Sequence, residues 1–123
     1  MADAYLHPIA WRKETDLALE IYRATQKVPK DELYGLASPM RRATVSVASN
    51  IVEGEGPTPA RNLQFLDRAR GSLLELETQS FIAIELHNLE PLVFRRMGDR
   101  TKERGRILND LIKSVLEGIN AAS

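Results

Sequence analysis

The stretch that decides the fold is residues 58–88, TPARNLQFLDRARGSLLELETQSFIAIELHN. It opens on Thr58-Pro59, a side-chain oxygen ahead of a proline at the first helical position, where the missing N–H costs nothing. Phe65, Leu66, Ala69, Leu73, Leu76, Ala83 and Ile84 then fall on one helical arc, with no proline before Asn88. At about 1.5 Å per residue, some thirty residues predict a rod of roughly 45 Å. A rod with one apolar arc must be covered along its length, and the flanking sequence supplies the cover.

Upstream, Gly54-Glu55-Gly56-Pro57 is the strongest loop signal in the chain, and Gly54 suits the left-handed position that closes a helix. Before it, Ser38-Pro39 repeats the cap-plus-proline device and predicts a helix over 39–53, with Met40, Ala43, Val47 and Ile51 facing one way. The first helix is expected over 9–27, ended by Pro29. There Trp11, Ala18 and Tyr22 share a face with Leu17, Ile21, Ala24 and Val28, and Trp11 and Tyr22 are expected to anchor it to the core. Glu14, Asp16, Glu20, Arg23 and Lys27 occupy other angles. Downstream, Glu90-Pro91 opens a fourth helix over 91–119, with Val93, Met97, Leu108, Ile112, Val115 and Ile119 on a common face. Gly71-Ser72 is expected to let helices approach closely. The pattern predicts one all-α domain over 1–123, an up-down four-helix bundle with two shorter and two longer helices.

Composition narrows the function classes. Lys and Arg number 17, as do Asp and Glu, so a generic basic binder of nucleic acid is disfavoured. Cysteine is absent, which excludes disulfides, a thiolate nucleophile and Cys-ligated metal. No apolar run nears the roughly 20 residues that span a bilayer, and Met1–Tyr5 does not read as a signal peptide. A cytoplasmic protein with no membrane partner is the expectation.

Catalytic constellations are missing too. A di-iron bundle needs Glu-x-x-His pairs, and neither His7 nor His87 lies three residues after an acid. Ser46, Ser49, Ser72 and Ser80 lie inside helices, with His87 the one candidate base. No catalytic residue, metal site or cofactor is therefore expected. The loop before Pro59 lacks Walker spacing, and Pro57 and Pro59 remove two backbone donors from it. Asn50 and Glu53, with Gly54 and Gly56, mark either a structural polar network or a ligand-binding end of the bundle.

The charge asymmetry lies in 95–106. Arg95, Arg96, Arg100, Lys102, Arg104 and Arg106 face two acids there, Asp99 and Glu103. On a helical wheel Arg95, Lys102 and Arg106 group opposite the core face, while Arg96, Arg100 and Arg104 border it. By itself this reads as a solvated face; repeated around an axis, its field sums. Apolar residues outside the core arcs argue for such assembly: Leu63, Leu74 and Phe81 share one angle on the third helix, and Val45 and Val52 another on the second.

Several motifs carry a family resemblance from Trp11 to Leu116. Tyr34-Gly35-Leu36, Met40-Arg41-Arg42-Ala43 and Asn50-Ile51-Val52-Glu53-Gly54-Glu55-Gly56 come first, then Phe65-Leu66, Arg70-Gly71-Ser72-Leu73 and Glu75-Leu76-Glu77-Thr78-Gln79. In this order they resemble the bacterial four-helix-bundle family first met as reading frames within intervening sequences of large-subunit ribosomal RNA genes. The resemblance implies a non-enzymatic, ring-forming homo-oligomer, typically a pentamer. A distant relative assists a reverse transcriptase and binds nucleic acid. Pro39, Ala48, Pro57 and Asn62 depart from the family pattern; Pro57 stands where an arginine is usual. The expected partners are thus other copies of the chain and RNA or DNA. The basic residues of 95–106 are the first candidates for contact, and Arg41 and Arg42 the second. An oligomeric scaffold taking a protein or small ligand at the Asn50–Gly56 end is the alternative.

Overall fold

The computed structural model describes residues 6–26, 33–86 and 91–122, and among them every regular element is helical. Helix α1 spans Leu6–Thr25, α2 Ser38–Glu53, α3 Pro59–Glu85 and α4 Pro91–Ala122; a five-residue π-helical stretch, Leu33–Ala37, leads into α2. The first pair has 20 and 16 residues and the second 27 and 32, the expected unequal pairs. Lys27, Val28, Pro29, His87 and Asn88, and the side chains of Val93 and Arg95, lie outside the described residues.

Each helix packs on its sequence neighbour, and α4 returns to α1. All four pairs run antiparallel. Arg41 meets Thr25 while Val52 lies by Trp11; Ser46 meets Ser72 while Gly54 meets Leu66. Gly105 approaches Leu73 while Gly98 lies by Phe81; Lys13 meets Glu103 and Glu20 meets Arg100. The core is aliphatic: Leu17, Ile21, Met40, Val47, Ile51, Leu66, Leu76, Leu108 and Leu111 are all buried. Each such side chain contributes about 1.5–3 kcal/mol relative to exposure.

Local chemistry departs from expectation at several points. Ser38 does not cap α2. Ala37 before it is already right-handed helical (φ −61°, ψ −44°), so the chain enters α2 by continuing a π turn, and Pro39 needs no donor there. Thr58 has the extended backbone of a cap residue, but its side chain makes no capping bond; Asn62 N–H donates to the Thr58 carbonyl instead, at 2.9 Å.

Gly54 is not left-handed: φ is −71° and ψ −1°. Space demands the glycine, because an added Cβ would lie 2.9 Å from Leu66 Cδ2 and 3.2 Å from the Asn50 carbonyl. Gly71, expected to be the close-approach residue, is exposed, with nothing within 4 Å of a Cβ there.

Trp11 and Tyr22 do not anchor α1. They are 42% and 41% exposed, and the buried line is Ala10, Glu14, Leu17 and Ile21. Leu63, placed on the outer angle of α3 from sequence, packs against the core.

Candidate functional site

Four antiparallel helices leave four outer seams, and here the seams differ in chemistry. Between α1 and α2, Trp11, Ala18, Val45, Ala48 and Val52, with Thr15, Ser49 and Glu53, line an open groove of about 400 Å³. Trp11 and Val52 continue it into a second hollow beside His7 and Glu55. Opposite, between α3 and α4, a larger groove of about 740 Å³ runs over Leu74, Thr78, Phe81 and Gly98, rimmed by Glu77, Asp99 and Lys102. Leu74 and Phe81 are 59% and 56% exposed, too much apolar surface for a wheel position with a bundle partner. Gly98 leaves the groove floor open, since a Cβ there would meet nothing within 4 Å.

The other two seams are polar. Between α1 and α4, Lys13 Nζ donates to Glu103 Oε1 at 2.5 Å, Arg100 pairs with Glu20, and Arg104 Nη1 lies 3.2 Å from Glu103 Oε2. The Lys13 hydrogen bond, helped by Arg104, holds the Glu103 carboxyl below the usual carboxylate range. Between α2 and α3, Ser46 and Ser72 share a 2.9 Å hydrogen bond, and Asn50 Nδ2 donates to the Ser46 carbonyl at 2.8 Å and to Ser46 Oγ at 3.1 Å.

Inside the α1/α4 seam sit two ionisable side chains: Glu14, placed from sequence off the core face, and Arg104, placed at its border. Glu14 is 1% exposed and Arg104 6%. Arg104 Nε donates to the Lys13 carbonyl at 3.2 Å, while neither Glu14 oxygen has a hydrogen-bond partner. Burial pushes the Glu14 carboxyl up to about 7, against the pull of Arg104. Spacing alone would have found both: Ala10, Glu14, Leu17 and Ile21 recur at four and three, as do Met97, Thr101, Arg104, Leu108 and Leu111.

The basic run of α4 is therefore not one surface. Arg104 is buried and Arg100 is paired across to α1. Lys102 belongs to the α3/α4 groove, while Arg96 and Arg106 are exposed. Arg41 serves the fold: its Nε donates to Thr25 Oγ1 at 2.8 Å, Nη2 reaches the Tyr22 carbonyl at 3.4 Å, and the guanidinium stacks 4.8 Å over the Tyr22 ring. A cation at the last turn of α1 also suits the helix dipole. Arg42 is exposed and lines a small cleft of the α2/α3 seam. Asn50 and Glu53 diverge, Asn50 bonding within the α2/α3 seam and Glu53 lining the α1/α2 groove. Gly54 is buried against Leu66, and a Cβ at Gly56 would lie 3.2 Å from Asn62 Oδ1. These four residues do not converge on one pocket.

Sequence reading also passed over α3's own cations. Arg61 and Arg68 lie 5.4 and 5.1 Å from the centroid of the Phe65 ring, stacked as cation–π pairs. Their four- and three-residue spacing from Phe65 was the available signal.

Among the described residues no group of three or more His, Asp or Glu could hold a metal ion, and no helix is long and apolar enough to cross a membrane. No curated protein matches the sequence. Among solved structures, the chain is similar to a protein of unknown function from the S23 ribosomal protein family of Bacteroides thetaiotaomicron VPI-5482. The TM-score is 0.77 at 18% identity, over 88% of this chain and 98% of that one, a likeness of fold. The family model for the 23S rRNA-intervening sequence protein matches residues 7–110. With that match running from α1 into α4, the chain belongs to the 23S rRNA-intervening sequence protein family.

Proposed function

We propose that this protein is a non-enzymatic, cytoplasmic assembly module. Copies join head to tail into a closed ring of five, the number the family resemblance implies, and the ring presents cationic residues to nucleic acid. The observation that carries the reading is the pair of apolar grooves on opposite faces of the bundle. Two different patches on opposite faces are what a heterologous interface needs, and such an interface closes into a ring when its rotation allows. An isologous dimer would use one patch and leave the other in water.

The groove chemistry supports the same pairing. Trp11, Val45 and Val52 project from the narrower groove, and the wider one has Leu74 and Phe81 around the bare Gly98. Lys102 rims the wider groove beside Glu77 and Asp99, and Glu53 rims the narrower one, so the match between the grooves is apolar rather than ionic. Light scattering on the purified chain tests the assembly. A particle of about five chain masses at micromolar concentration is the expected result, and a stable monomer overturns the proposal.

A further inference from the structure

With the two apolar grooves covered in a ring, the two remaining seams become its inner and outer walls, and symmetry turns the same seam of every copy to the same side. The α1/α4 seam is already ion-paired, Lys13 with Glu103 and Arg100 with Glu20. The α2/α3 seam is not. Arg42, Arg61 and Arg68 are exposed there, and none has an ion-pair partner among the described residues. Ser72 and Phe65 stand seven residues apart on one face of α3, and Ser72 bonds to Ser46 of α2, so this face borders the α2 side. Arg42, Ser46 and Ser72 line one cleft of about 220 Å³, with Glu75 as its single acid. Arg61 and Arg68, held against the Phe65 ring, extend the seam toward the start of α3.

Resting on the ring reading above, we propose that the α2/α3 seam is the nucleic-acid surface of this protein, and that its ligand is a single-stranded segment. Arg42, Arg61 and Arg68 contact phosphates, and the Phe65-stacked guanidiniums offer their free faces to unstacked bases. A guanidinium held over an aromatic ring keeps edge donors and its outer face available. Such a group can take a phosphate at its edge or a base on its open face. Duplex bases are closed to that contact, whereas single-strand binders combine a cationic track with stacking platforms. Each subunit adds three guanidiniums without an ion-pair partner among the described residues, and the cleft beside Arg42 holds one carboxylate, Glu75, so a neutral chain builds a cationic wall by repetition.

The test is fluorescence anisotropy of a labelled single-stranded RNA against the assembled protein from low to moderate salt. A DNA strand and a duplex of the same length run alongside, and light scattering checks assembly of every variant. The expected result is salt-dependent binding of both single strands and weaker binding of the duplex. In R42Q/R61Q/R68Q the ring persists, affinity falls at least about tenfold, and the salt slope flattens by about two per subunit engaged. In R61K/R68K the slope is kept and affinity falls several-fold, because lysine retains the charge and loses the planar guanidinium that a base can stack on. In R96Q/R106Q binding is unchanged. Wild-type affinity in the triple variant, with loss in R96Q/R106Q, overturns the seam assignment and leaves a nucleic-acid-binding ring standing. Equal affinity for duplex overturns the single-strand ligand. A wild-type ring that binds none of the three probes even at low salt overturns the nucleic-acid reading itself.

Discussion

Glu14 shows how one buried charge sets a pH dependence. In the unfolded chain its carboxyl titrates at the ordinary 4.5, and in the folded chain burial moves it to about 7. Between those values the folded state holds one more proton than the unfolded state, so stability falls as pH rises through the window and levels off above it. The difference is of order 3 kcal/mol at about 1.4 kcal/mol per pH unit. Glu14→Gln should therefore flatten the stability profile from about pH 5 to 8 and raise the denaturation midpoint at the upper end, as urea titrations at several pH values would reveal. Glu103 acts in a separate window. Its carboxyl is lowered by Lys13 and Arg104, so its contribution is present above 4.5 and is lost as the pH falls below that value. A second residue-scale prediction concerns Gly54. An alanine there drives its Cβ into the buried Leu66 side chain with no backbone strain to blame, since φ is −71°. Gly54→Ala should destabilise by about 1–3 kcal/mol, and Leu66→Val in the same chain should recover part of the loss; thermal melts of the two variants decide it.

At the scale of elements, the two outer grooves give separable tests. Gly98→Leu adds a side chain where nothing lies within 4 Å, so the isolated bundle tolerates it while the groove between α3 and α4 is filled. The expected outcome is an unchanged helical signal with loss of the oligomer in size-exclusion chromatography; an intact oligomer would remove this groove from the interface. Helix number, order and unequal lengths were legible because three helices carry a proline start, a proline follows the first, and each has a three-four apolar arc. Which face turned inward was less legible on α1. The wide apolar band of Trp11, Ala18 and Tyr22 overlaps the core line, and the eye follows the aromatics while the packing follows Ala10, Leu17 and Ile21. The same bias hid Glu14, whose charge argued for water while its register argued for the core, and left Arg104 at the border of the core that in fact buries it. The basic run of α4 was visible as composition, but a helix distributes twelve consecutive residues over every direction. Only the neighbours of α4 decide that Arg100 meets Glu20, that Arg104 is buried and that Lys102 enters a groove.

For the whole molecule, a formal charge of zero averages over four unlike walls. Two carry apolar grooves, one is ion-paired and one carries exposed arginines, and the proposed ring would cover the first two and repeat the last. The family match and the solved structure bear on the family and the fold, not on these walls. The central claim is that the grooves are the two halves of one head-to-tail interface. Native mass spectrometry of two mixed variants, Val45→Asp and Phe81→Asp, tests it most directly, because each variant keeps one groove intact. Alone, each should be monomeric; mixed, they should form a one-to-one heterodimer that grows no further, since the only remaining pair of intact grooves is already joined. A ring in either variant alone, or no heterodimer from two folded monomers, would contradict the account.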